Sequence, residues 1–123
     1  MPKEVYILYI EDDRPMINLV KRTLNLSGYT VTGATSGKQG LSLIKERKPD
    51  LLLLDLMMSD TNGWDIYREM KSNAALADVP VIVITAKAPE YGKRVIEDLP
   101  PVDAYITKPF DVEHLIKSVQ AYI

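Results

Sequence analysis

The sequence contains no cysteine, so neither a disulfide framework nor a thiolate metal site can form. It contains one histidine, His114, which excludes a zinc site built from several imidazoles. Apolar runs such as Leu51 to Leu54 are far too short to cross a bilayer, so no membrane segment is expected. The first residues lack the basic and then apolar stretch of a secretion signal, and the expected location is cytoplasmic. Dense blocks of Lys and Arg are missing too. Fifteen basic residues face seventeen acidic ones, for a net charge of −2, which argues against direct nucleic-acid binding by this segment. What is there is the balance of a soluble globular protein, with 46% hydrophobic and 26% charged residues. Its 123 residues suit one domain, 1–123, with a single sizeable core.

The apolar pattern alternates between short strand-like runs and longer helical ones. Val5 to Ile10 predicts a strand, rich in β-branched and aromatic residues. Ile17, Val20 and Leu24 follow at helical spacing, with Leu26 a candidate for the same face and Ser27-Gly28 as the stop. Tyr29 to Ala34 predicts a second strand and Gly37 to Lys45 a second helix with Leu41 and Ile44 inward. The run Leu51 to Leu54 suits a strand covered by helices on both sides. A third helix is predicted over Trp64 to Met70, a fourth strand over Val81 to Ile84, and a weak fourth helix over Tyr91 to Leu99. Ala104 to Ile106 completes the strands, and Val112 to Tyr122 forms a last helix with Leu115, Ile116 and Val119 inward. Five such alternations predict a doubly wound α/β fold with five helices around a five-stranded parallel sheet. Right-handed crossovers favour the flavodoxin-like order 2-1-3-4-5.

In such a sheet ligands bind beyond the carboxyl ends of the strands, at the switch point between the first and third. Glu11, Asp12 and Asp13 end the first strand and Asp55 the third. Thr85 ends the fourth, and Thr107 and Lys108 follow the fifth. Clustered carboxylates repel, so they need a cation or must hold protons. Hard oxygen ligands without sulfur or imidazole favour Mg²⁺. A cation there would offset the repulsion between Asp55 and a phosphoryl group, and an aspartate can itself attack phosphorus. Thr85 could donate a hydrogen bond to the product, and Lys108 could supply a point charge. Each residue alone has a plainer reading: Asp55 as a turn residue, the acids after the first strand as a helix cap. Their joint placement on four segments is the signal.

The segments "YILYIEDD", "PDLLLLDLMMSDTNGWDIYREMK", "VPVIVITAK" and "DAYITKPF", in this order, resemble the receiver domain of two-component response regulators, the CheY-like family. The resemblance covers essentially the whole chain. It implies that Asp55 is the phosphoacceptor, supplied by a histidine kinase or phosphotransfer protein. It implies a Mg²⁺ site from Glu11, Asp12, Asp55 and the backbone carbonyl of Met57, with Asp12 in direct contact and Glu11 acting through water. Thr85 and Lys108 would bind the phosphoryl group, and Tyr105 would be the aromatic switch that turns inward with Thr85. The Lys108-Pro109 bond would be cis. Asp13 would be a supporting or capping acid, Gly63 the glycine before the third helix, and His114 a solvated residue with no donor role. The output surface would be the fourth helix, fifth strand and last helix, which could also serve a homodimer formed on phosphorylation. The output partner is not identified by the resemblance.

Some positions depart from the family pattern. Ser59 stands where many members have proline, which predicts a less rigid loop after Asp55. Met57 and Lys87, two residues beyond Asp55 and Thr85, would flank the phosphoryl group and affect its lifetime. Gly92 and the Leu99-Pro100-Pro101 stop make the fourth helix unusual. Two other functions compete. One is a phosphorylation-independent docking module. The other is a small phosphatase with Asp55 as nucleophile, which would want an acid where Met57 stands. The string "GATSGKQG" faintly resembles a phosphate-binding loop but is one residue short and has Gln39 in place of Ser or Thr.

Overall fold

The computed structural model describes residues 4–59, 61–86 and 102–123. Five strands, β1 (Tyr6–Ile10), β2 (Thr30–Ala34), β3 (Leu51–Leu54), β4 (Val81–Thr85) and β5 (Ala104–Thr107), form one parallel sheet in the order β2-β1-β3-β4-β5. Four helices are present among the described residues: α1 (Arg14–Leu26), α2 (Gly37–Glu46), α3 (Gly63–Lys71) and α4 (Val112–Gln120). The weak helix expected over 91–99 lies outside the described residues, as do Lys87, Gly92, Pro100 and Pro101.

Strand alternation divides the core into two layers. On one face Leu8, Ile10, Leu52, Leu54, Val81 and Val83 pack with Ile44 of α2 and with Ile66, Tyr67 and Met70 of α3. On the other, Ile7, Tyr9, Leu51, Leu53, Ile82 and Ile84 pack with Ile17, Val20 and Leu24 of α1 and with Leu115 and Val119 of α4. All four leucines of β3 are fully buried, as a central strand covered on both sides requires. Leu26 differs from the expectation and is 85% exposed. Two residues past Leu24 is about 200° around a helix, so the two side chains point to opposite sides.

Each of these four helices begins on a side-chain cap. Asp13 Oδ1 accepts from the Met16 N–H at 3.2 Å, which makes Asp13 the cap of α1. Asn62 caps α3 through the Trp64 N–H at 2.9 Å, and Asp111 caps α4 through the Glu113 N–H at 2.9 Å. At α2, Ser36 Oγ accepts from the Gln39 N–H at 3.1 Å while Gln39 Oε1 accepts from the Thr35 N–H at 2.9 Å. That reciprocal pair is a variant of the capping box, and it explains the "TSGKQ" string without any phosphate loop. Gly28 ends α1 at φ +96°, where Tyr29 N–H reaches back to the Leu24 carbonyl at 3.1 Å. These caps fix where the chain leaves each helix, and so where the polar strand ends meet.

Candidate functional site

Three carboxylates meet at the carboxyl ends of β1 and β3. Glu11, Asp12 and Asp55 each offer an oxygen, and these oxygens lie within 4.8 Å of one another. Backbone hydrogen bonds set the juxtaposition: the Asp55 N–H donates to the Ile10 carbonyl at 3.0 Å and the Glu11 N–H to the Ala34 carbonyl at 2.9 Å. The sheet ladder therefore runs right up to the acids. Glu11 is 1% exposed and Asp55 3% exposed, whereas Asp12 is only partly buried at the rim.

Lys108 reaches this cluster from the far side. Its backbone N–H donates to the Thr85 carbonyl at 2.8 Å, one strand beyond β3. Its ammonium is hydrogen-bonded to Glu11 Oε1 and lies 3.5 Å from Asp55 Oδ2. The Lys108-Pro109 peptide is cis, as expected. Thr85 is fully buried at the end of β4, and register pairs it with Thr107. Tyr105 pairs with Val83 and packs, half-buried, against the core layer of α2 and α3. By strand alternation Thr85 shares that face with Val83, so Thr85 and Tyr105 stand on the same side of the sheet.

The β3–α3 loop closes the site. The Met57 N–H donates to Asp55 Oδ1 at 3.1 Å, which holds the Met57 peptide beside the Asp55 carboxylate, while Met57 itself is 62% exposed. Ser59 was expected to loosen this loop. Instead its N–H and its hydroxyl both donate to Asp12 Oδ2, at 2.9 and 3.0 Å. A proline there could supply neither donor. Gly63 begins α3 against the Asp55 backbone, for a Cβ at that position would lie 2.6 Å from the Asp55 carbonyl oxygen and from the Leu56 Cα. The loop's fit against β3 thus depends on the one residue without a side chain.

The electrostatics follow from crowding. Burial is the main cause that raises the Glu11 carboxyl to about 7, followed by its contact with Asp55; Lys108 and Tyr9 pull in the opposite direction. Asp12 is held below the usual carboxylate range, chiefly by the Ser59 N–H. Burial and crowding thus favour a proton on Glu11 more than on an ordinary carboxyl. A hard, all-oxygen, partly solvated donor set of this kind fits Mg²⁺.

Two residues of the site were not singled out in the sequence, Tyr9 and Ser59 as a hydrogen-bond donor. Tyr9 is fully buried in β1, and its hydroxyl donates to Glu11 Oε1 at 2.8 Å. The pattern Tyr-x-Glu at a strand end, which puts both side chains on one face, is the signal that could have found it. Ser59 has no such local signal, because its partner lies 47 residues away. Asp13 sits apart from the carboxylate cluster as a cap, and His114 is exposed on α4.

A family model for the response regulator receiver domain matches residues 7–120. The phosphate regulon transcriptional regulatory protein PhoB of Pseudomonas aeruginosa is 36% identical over 118 residues, covering 95% of this chain and 51% of that protein. The DNA-binding dual master transcriptional regulator RpaA of Synechocystis is 36% identical over 117 residues, covering 95% of this chain and 48% of that protein. The chain thus spans about half the length of these curated relatives. Among solved structures, the chemotaxis protein CheY4 of Vibrio cholerae superposes with a TM-score of 0.90 at 21% identity, over 98% of this chain and 100% of that one, a likeness of fold.

Proposed function

The chain belongs to the response regulator receiver domain family of two-component systems, and from that premise we propose that Asp55 accepts a phosphoryl group from the phosphohistidine of a histidine kinase or phosphotransfer protein. The observation that carries this reading is the meeting of Glu11, Asp12 and Asp55 at one strand edge, with the Lys108 ammonium reaching both Glu11 and Asp55. A docking module independent of phosphorylation would have no use for three carboxylates held against their own repulsion.

The chemistry is an exchange of one bond for another. A carboxylate oxygen of Asp55 attacks phosphorus, the phosphorus–nitrogen bond breaks, and the imidazole leaves with its electron pair. Asp12, Asp55 and the Met57 carbonyl, with Glu11 beside them, would hold Mg²⁺, which offsets the repulsion between the carboxylates and the phosphoryl oxygens. Lys108, already 3.5 Å from Asp55 Oδ2, would move onto a phosphoryl oxygen. The Thr85 hydroxyl would donate to another. The Asp55 N–H is held by the Ile10 carbonyl and the Met57 N–H holds Asp55 Oδ1, so both contacts aim the carboxylate for attack.

Output would pass through β5. As Thr85 turns toward the phosphoryl group on its face of the sheet, Tyr105, half-buried on the same face, would follow it inward. The surface of β5 and α4 would then change for an effector, or for a second copy of the chain.

The test is incubation with Mg²⁺ and a small phosphodonor, read by intact mass and by peptide mapping of the acyl phosphate. The expected outcome is one added phosphoryl group, at Asp55, lost in Asp55→Asn and in Mg²⁺-free buffer. A group found on another side chain, or one that survives in Asp55→Asn, would overturn the assignment.

A further inference from the structure

Glu11 is in a difficult position once phosphorylation is considered. Its carboxylate is 1% exposed. Oε1 takes two donors, the Lys108 ammonium and the Tyr9 hydroxyl at 2.8 Å. Oε2 lies 3.4 Å from the Asp13 N–H, a longer contact than those at Oε1. If Lys108 leaves for the phosphoryl group, this buried oxygen loses its charged donor. Leaving such a group without a partner is costly.

The Tyr9 phenol is placed to prevent that loss. Tyr9 and Glu11 lie two apart at the end of β1, so strand alternation puts both on the α1–α4 face. The ring is fully buried in the core layer that also holds Ile7, Leu53, Ile17 and Ile84, where the ring of Phe would fill the same space. Only the hydroxyl reaches the site. Its partner is the Glu11 carboxylate, so the phenol acts there as the donor.

We propose that Tyr9 is a positioning residue for the phosphorylated state: its hydroxyl keeps Glu11 satisfied and oriented when Lys108 transfers to the phosphoryl group. This rests on the acceptor reading above. In the unphosphorylated state the Tyr9 bond is one of two at Oε1. In the phosphorylated state it is the donor that remains there. The hydroxyl therefore favours the second state over the first.

The experiment uses Tyr9→Phe, which keeps the ring and removes the hydroxyl. Mg²⁺ affinity and, at saturating Mg²⁺, affinity for BeF₃⁻ as the phosphoryl mimic are measured by titration of Trp64 fluorescence or by calorimetry. The expected result is that BeF₃⁻ affinity falls about tenfold and Mg²⁺ affinity falls less, because the hydroxyl becomes the donor that remains on Glu11 Oε1 once Lys108 has moved. Unchanged BeF₃⁻ affinity would mean that the phenol is merely a satisfied core group. An equal fall in both affinities would mean that it serves the metal site or the fold, and either result overturns the proposal. A second measurement needs no variant: the ¹³Cζ resonance of Tyr9 in the wild type should shift on BeF₃⁻ binding, and an unmoved resonance counts against the proposal even if Tyr9→Phe fails to fold. A wild-type protein that takes up no BeF₃⁻ with Mg²⁺ would instead sink the acceptor reading itself, which separates the two failures.

Discussion

At the scale of single residues, the site is organised by donors that the eye passes over in the sequence. Asp12 is a rim carboxylate, and a rim carboxylate is free to rotate. Ser59 removes that freedom with two donors to one oxygen, Oδ2. The two substitutions that separate these donors have different expected effects. Ser59→Ala removes the hydroxyl and should weaken Mg²⁺ by about 1 kcal/mol, roughly fivefold in Kd. Ser59→Pro removes the N–H as well and should weaken it further. Both are read by Mg²⁺ titration with the Asp55 carboxylate intact. If Ser59→Ala binds Mg²⁺ as tightly as wild type, the hydroxyl contact is incidental and the orientation of Asp12 is set elsewhere.

At the scale of elements, the strand ends were legible because the chain repeats one grammar. A buried run, a polar residue at its carboxyl end and an amphipathic helix follow one another, and the acids land where that order must place them. Glu11, Asp12, Asp55, Thr85 and Lys108 could be put at one sheet edge on this ground alone. The contacts between loops could not. Ser59 meets Asp12 across 47 residues of chain, and Gly63 packs on the Asp55 carbonyl because α3 starts against β3. The Ser59 approach has no period, propensity or motif to announce it, and the glycine at 63 was expected from the family resemblance alone, which does not say what it packs against. Leu26 illustrates the converse, where an apolar residue fits a helix by composition and fails it by angle. The two glycines at element ends separate the roles of shape and site. Gly28→Ala meets no atom within 4 Å but forces a side chain into φ +96°, so it should cost about 1 kcal/mol of stability and leave Mg²⁺ affinity unchanged. Gly63→Ala would drive a Cβ into the Asp55 backbone, so it should cost about 1–3 kcal/mol and also weaken Mg²⁺ binding. Urea denaturation beside Mg²⁺ titration measures both, and equal Mg²⁺ affinity in the two variants would contradict the role given to Gly63.

At the scale of the whole molecule, the site sets stability against readiness to bind a cation. The two core layers hold the sheet together, and the polar edge works against them, because it collects like charges out of water. That opposition has a pH signature with a definite sign. The folded chain raises the Glu11 carboxyl from 4.5 to about 7, so between those values the folded state holds a proton that the unfolded state has released. Stability in Mg²⁺-free buffer therefore falls as pH rises through this window, the reverse of an ordinary ion-paired acid. Asp12 and Glu4 are shifted downward, and their stabilisation is lost only at more acidic pH, so they do not mask the decline. Saturating Mg²⁺ replaces the proton as the source of positive charge, and stability measured with it should no longer decline across the window. Thermal or urea unfolding from pH 4.5 to 7, with EDTA and with Mg²⁺, gives the comparison, and Glu11→Gln should flatten the metal-free curve. A decline that persists unchanged in Glu11→Gln would move its origin away from the carboxylate cluster and undercut the account of why this edge calls for a cation.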